Sequence, residues 1–300
     1  MAKPKAISGT AFATLLLIAL MMGANHVAAR IAFNNGVDVA TAVVFRSGVT
    51  TLVIVALLAA ARVRVSFSAR HKRMLPLIGL LIGVQSLCLY SAVARLPVAL
   101  ALLAFNTYPI WTALWAAVVY RQKPERAMLL AMPVILVGLA LALDVFGAAS
   151  GLGASGQWAR IGAGVAFSLA AAGTFGLALV ITQQEAADVD GRVRTATTMT
   201  VAGLIALSMV GVQGGFHLPQ AAAGWAGLAA LTILYGTAFT IMFTVLPKLG
   251  VVGNSAIMNV EPVFALVLAW LILGQAIAPV QVAGALLVVG AVMVLGLRKR

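Results

Sequence analysis

Apolar stretches recur along the chain, each ended by a short run carrying Arg, Lys, Asp, Gly or Pro. A helix crosses the hydrocarbon core of a bilayer with about 20 such residues. On that scale the pattern predicts ten spans, over 9–32, 39–61, 75–94, 97–120, 127–145, 160–183, 195–213, 223–247, 251–274 and 278–297. No connection between them is long enough to fold as a separate domain, so function is expected inside the bilayer.

The polar positions repeat. Gly83, Tyr90, Arg95-Leu96, Val98, Asn106, Pro109 and Gln122 return as Gly236, Phe243, Lys248-Leu249, Val251, Asn259, Pro262 and Gln275, every one 153 residues further on. A duplicated membrane unit is the signature of a transporter core, in which two related halves enclose a site. Five spans per copy is an odd number, so the second copy must enter the membrane from the other side. The expected fold is an all-α polytopic membrane protein, ten transmembrane helices in two five-helix inverted repeats. The repeats are expected over 1–146 and 160–300, within one integrated membrane domain. A flexible connection over 147–159, with Gly147, Gly151, Gly153 and Gly156, should join them. Pro109 and Pro262 fall inside spans at matched positions and predict helix breaks beside Asn106 and Asn259.

Composition agrees, with 63% hydrophobic and 9% charged residues, far from a soluble domain. The net charge of +13 raises nucleic acid as a partner, but its distribution argues against it. With the N-terminus in the cytoplasm, sixteen of the twenty basic residues lie on the cytoplasmic side. Arg30, Arg95 and Arg160 lie opposite, and Arg46 lies within a span. This is the positive-inside asymmetry of an inner (plasma) membrane protein with both termini cytoplasmic. Membrane lipid, through its anionic headgroups, is the expected partner of that charge. Lys3 and Lys5 before an apolar run resemble a cleavable signal peptide. The loose return of Met22-Gly23-Ala24 as Ala172-Gly173-Thr174 favours a retained first helix instead. One cysteine, Cys88, excludes a disulfide framework or a thiolate metal site.

Ionisable groups inside a bilayer are costly and point to function. Glu261 is the sole acid deep in a span. It is either a proton carrier or a structural carboxylate bonded to the backbone broken at Pro262. His26 is the second titratable candidate for proton coupling. Arg46 could meet a substrate carboxylate in bidentate fashion, pair with Glu261, or cap a helix. Tyr108, Trp111, Thr112 and Trp115 share one helical face, suited either to a flat organic substrate or to packing. Gln85, Ser86, Tyr90, Tyr235, Thr237 and Thr240 add neutral hydrogen-bonding groups. The expected substrate contacts are Arg46, Gln85, Asn106, Tyr108, Trp111, Tyr235, Thr237, Asn259 and Glu261, drawn from both halves. One acid, one Arg and neutral polar or aromatic groups suit a zwitterion better than a phosphate, which would want a basic cluster. No metalloprotease, nucleophile-elbow or P-loop motif is present, so neither an enzyme, a metal site nor a cofactor is expected.

Asn259-Val260-Glu261-Pro262 followed by Leu271-Ile272-Leu273-Gly274-Gln275 resembles the drug/metabolite transporter superfamily, and more narrowly its ten-span EamA-type exporters. Arg46 and Met22-Gly23-Ala24-Asn25 fit the same family. Gln275 stands where the family usually shows an acid after Leu-Gly. Arg121-Gln122-Lys123 and Leu87-Cys88-Leu89 look like the YddG-type amino-acid exporters. The resemblance implies a secondary transporter that exports small organic metabolites, with amino acids, aromatic ones included, as the expected cargo and a proton as a candidate co-substrate. A lipid scramblase or a small-solute channel is the alternative, since an inverted repeat can also open sideways.

Overall fold

The computed structural model describes residues 9–63, 65–123, 126–244 and 260–298. Among the described residues the chain is all helix, with no strand. In order the helices are α1 (Gly9–Asn34), α2 (Val39–Ala60), α3 (Ala69–Arg95), α4 (Val98–Phe105), α5 (Tyr108–Tyr120) and α6 (Arg126–Ala142), followed by α7 (Gly153–Glu185), α8 (Gly191–Val212), α9 (Ala222–Thr244), α10 (Glu261–Leu273) and α11 (Pro279–Arg298). Seven helical stretches, counting Val98–Tyr120 as one, are long and apolar enough to cross a membrane; Leu129–Ala142, Glu261–Leu273 and Pro279–Val294 are shorter apolar helices. In lipid only internally bonded backbone is tolerated, which is why apolar runs of this length become helices.

Polar residues mark where those helices start. Asp38 accepts from Thr41 N at 2.8 Å and opens α2. Ser68 and His71 form a reciprocal capping box at the start of α3. Pro109 lacks an N–H and its ring clashes with a helical carbonyl four residues back, so α4 stops at Phe105 and α5 starts at Tyr108. The Thr107 hydroxyl donates to the Ala104 carbonyl at 2.8 Å, within the turn that joins the two helices.

The repeat is written in the backbone. Thr107 before α5 and Val260 before α10 have nearly the same conformation, φ −72°, ψ −5° against φ −77°, ψ −8°. Both helices run 13 residues, and both end on a left-handed residue, Arg121 in one and Gly274 in the other. Gln122 N bonds to Ala116 O and Gln275 N to Ala269 O, again 153 residues apart.

Packing obeys the same exchange. α1 packs on α9 and α10, and its counterpart α7 packs on α3 and α5. α2 lies against its own counterpart α8, and α6 against α11. The main contacts therefore run between halves, which are interleaved. The C-terminal end of α1 sits beside the start of α9, where Gln220 N donates to Asn35 O at 3.0 Å. The C-terminal end of α7 sits beside the start of α3, where His71 Nε2 lies 3.1 Å from Asp188 Oδ1. Since α2 runs from the first place to the second, equivalent helices point in opposite directions.

Two glycines make this possible. A Cβ on Gly23 would come within 3.0 Å of Ala265 N, and one on Gly176 within 2.8 Å of Thr112 N. Gly23 and Gly176, like Thr112 and Ala265, are 153 residues apart, so one close helix crossing is built twice. The partner of Gly23 is thus Gly176, not Gly173 as the loose match of Met22-Gly23-Ala24 to Ala172-Gly173-Thr174 suggests.

The connection between repeats also differs from expectation. α7 begins at Gly153, leaving only residues 147–152 as a turn. Asp144 accepts from Ala149 N at 3.0 Å and Ser150 N at 2.8 Å, and Gln157 Nε2 donates to Leu143 O at 2.9 Å. These backbone donors, Ala149 first, hold the Asp144 carboxyl below its ordinary range. The turn is therefore stabilised at neutral pH, and that contribution is lost only as pH falls through the lowered value.

Over-packing a close helix crossing typically costs about 1–3 kcal/mol. Gly23→Val and Gly176→Val should each lower the thermal midpoint of the detergent-solubilised protein. Gly48→Ala, with nothing within 4 Å of its added Cβ, should not. Equal midpoints for all three would contradict the matched crossing.

Candidate functional site

Gly23 brings the start of α10 against α1, and one turn further along α1 His26 meets Glu261. Its Nε2 lies 3.3 Å from Glu261 Oε1, with His26 only 3% exposed. The neighbouring Asn25 Oδ1 accepts from the Tyr90 hydroxyl at 2.9 Å. Tyr90, on α3, is fully buried, and its ring meets His26 edge-on at 5.7 Å between centroids.

The Tyr90 ring also meets Arg46. The guanidinium carbon lies 4.7 Å from the Tyr90 centroid and 4.0 Å from that of Tyr235 on α9. Such contacts attract a cation to the negative face of each ring. Arg46 Nη2 donates to Ser86 Oγ at 2.7 Å, and Ser86 in turn donates to Gln85 Oε1 at 3.3 Å. Tyr235 is stacked on Phe239 at 4.4 Å and directs its hydroxyl at the Met199 sulfur.

Arg46 is 3% exposed, yet among the described residues no carboxylate lies within ion-pair distance of it. Its Nε has no hydrogen-bond partner among them either, and the same holds for Asn25 Nδ2, His26 Nδ1, Ser47 Oγ and Thr50 Oγ1. Buried polar groups are ordinarily satisfied. Several on α1 and α2 are left open here among the described residues, Arg46 Nε included.

The two-fold counterpart of Glu261 is Tyr108. Tyr108 packs with Phe175 at 5.2 Å and Phe105 at 5.7 Å, and Phe105 meets Phe175 at 5.4 Å. One corner of the centre is thus charged and the equivalent corner aromatic.

Of the residues singled out from sequence, Arg46, Gln85, Tyr235, Glu261 and His26 lie along this linked set. Asn106 is buried at the α4–α5 junction. Pro109 and Pro262 occupy the first turns of α5 and α10. Trp111 and Trp115 instead fill the α5–α7 crossing: Trp111 lies against Gly173 and Gly176, and Trp115 Nε1 donates to Gly173 O at 3.0 Å. Thr237 is on the exposed face of α9 with Trp225 and Ile233, about half a helical turn from Tyr235, so it points away from Arg46. Asn259 lies outside the described residues. Tyr90, named from sequence as a neutral hydrogen-bonding group but not as a contact, joins the centre, as do Asn25, Phe105 and Phe175. Asn25 beside His26 and Phe105 beside Asn106 are the hints the chain offers for two of these three.

Gln275 has a different task. Its Oε1 accepts from Val98 N at 3.0 Å, satisfying an orphan donor at the start of α4. An amide oxygen serves that purpose without a charge.

A sequence pattern for EamA-like transporters matches residues 9–143 and 162–297, one copy on each repeat. The chain belongs to the EamA-like transporter family. It is therefore a multi-pass membrane transporter of small solutes in the drug/metabolite transporter superfamily. A solved structure titled only "Crystal structure of protein" is similar at a TM-score of 0.62 and 18% identity, covering 95% of this chain and 97% of that one. At that identity the likeness concerns the fold. No curated protein matches the chain.

Removing one partner of a buried ion pair typically costs about 3–5 kcal/mol, because the other charge is stranded. Arg46 strands no carboxylate, so Arg46→Gln should leave the thermal midpoint unchanged or raise it. A large drop in midpoint would mark Arg46 as a structural brace.

Proposed function

We propose that this transporter is a secondary carrier exporting amino acids, aromatic ones included, by alternating access. What carries the reading is the pair of opposite charges flanking Tyr90: Arg46 with no acid of its own, and Glu261 held by His26. A guanidinium receives a carboxylate in bidentate fashion, and a carboxylate receives an ammonium. The aromatic corner of Phe105, Tyr108 and Phe175 suits the side chain of such a substrate.

Proton coupling follows from the same geometry. An ammonium arriving at Glu261 competes with the His26 imidazole for the carboxylate, which makes this pair the candidate for proton exchange. A carrier of this kind shifts between inward- and outward-open states, and substrate or proton biases that equilibrium through differential affinity. The end contacts, His71–Asp188 at one face and His217–Asp38 at the other, lie where one side must part for access.

Radiolabelled amino acids offered to proteoliposomes, with and without a pH gradient, test the reading. Saturable, stereoselective uptake that Arg46→Gln abolishes is expected. Uptake indifferent to stereochemistry, or flipping of labelled lipid, would favour a channel or scramblase. Glu261→Gln keeps the shape of the side chain but cannot carry a proton. It should abolish gradient-driven accumulation and weaken, without abolishing, exchange, and full accumulation by this variant would rule out coupling at Glu261.

The distribution of basic residues supports ten spans with both termini in the cytoplasm. In a Cys88→Ala background, a cysteine at Ser155 should react with impermeant thiol reagent in intact cells. One at Ala187 should react only after lysis, and the reverse pattern would invert the orientation.

A further inference from the structure

The unusual feature of the centre is that a buried Arg and a partly exposed Glu share it without meeting. Glu261 is the only acid among the residues that line it, and opposite charges attract strongly where water is excluded. One side chain is in contact both with Arg46 and with the partner of Glu261. Tyr90 presents its ring to Arg46 at 4.7 Å and to His26, the Glu261 partner, at 5.7 Å.

That ring is held from several sides. Its hydroxyl is tied to Asn25 Oδ1 at 2.9 Å, and Phe33 packs against it at 5.7 Å. It has no surface exposed to solvent. Ser86, one turn before Tyr90 on α3, takes the outer guanidinium nitrogen at 2.7 Å and draws Arg46 along the same helix. Tyr235 closes the opposite face at 4.0 Å. Ser86, Tyr90 and Tyr235, which hold Arg46 among the described residues, are all neutral.

We infer that Tyr90 is a positioning residue, a spacer that prevents Arg46 and Glu261 from closing into an internal salt bridge and so keeps Arg46 open to a carboxylate ligand. The inference rests on the reading of Arg46 as the carboxylate-binding pole. A site whose charges neutralised each other would have to break an ion pair in low dielectric before binding anything. The aromatic face avoids this, because it stabilises the guanidinium without satisfying its hydrogen-bond donors.

The test uses 3-phenylpropionate, which has a carboxylate but no ammonium and so reports on Arg46 alone. Its affinity is measured on the purified full-length chain in detergent. Tyr90→Phe keeps the ring and should bind within about twofold of the unmodified protein. Tyr90→Ala lets Glu261 capture Arg46 and should weaken binding by about tenfold or more. Adding Glu261→Gln to Tyr90→Ala removes the captor and should restore affinity to within about threefold. A residue needed only for packing would show no such rescue. Tyr90→Leu, alone and with Glu261→Gln, gives the same comparison with less lost volume should the alanine variant fail to fold. Undiminished binding by the single variant, or a double variant as weak as the single, overturns the spacer. Failure of the underlying reading looks different: the unmodified protein would not bind 3-phenylpropionate, or Arg46→Gln would bind it equally well.

Discussion

A guanidinium buried without a carboxylate is the constraint on which the centre of this transporter depends. Charge is costly in a helix bundle meant for lipid, and it is ordinarily offset by a partner of opposite sign. Here the offset comes from two tyrosine faces and a serine hydroxyl. These hold the cation in place but leave its charge uncancelled. The surrounding open polar atoms on α1 and α2 extend that unsatisfied state to a small region.

Duplication explains how such a centre arises in a symmetric framework. The two-fold exchange reproduces backbone: matched breaks, matched helix lengths and the paired crossings at Gly23 and Gly176. It does not reproduce side chains. Where one half has Glu261 held by His26, the other has Tyr108 against Phe105 and Phe175. A common scaffold therefore surrounds the centre with two unlike corners.

The same interleaving bears on motion. Each half packs mainly on the other, and contacts close both ends: Asn35 and Asp38 with the segment before α9, and Arg70 and His71 with the end of α7 and the turn after it. These end contacts are polar and partly exposed, and individually worth little. The apolar crossings between them are dense. Access by parting one end while the crossings act as a pivot requires only the weaker contacts to break.

Much of this was legible in the chain. The constant offset of 153 residues exposes the repeat, and Pro109 shows where α4 must stop, because backbone chemistry depends on residue type alone. Arg46 and Glu261 stand out because charge inside an apolar run is conspicuous wherever the run ends up. Facing is another matter. These helices are apolar on nearly every side, so periodicity does not say which side meets protein and which meets lipid. Thr237 was therefore read as a contact and lies on the exposed face, while Trp111 and Trp115 belong to the α5–α7 crossing. That Glu261 pairs with His26 and not Arg46, and that Tyr90 touches both His26 and Arg46, depends on four helices, α1, α2, α3 and α10, meeting at one place. The sequence by itself determined the membrane class, the duplication and the charges, all properties of residues in order along the chain. Only the tertiary structure decided which charges meet, because that depends on how closely helices approach and how far each is rotated.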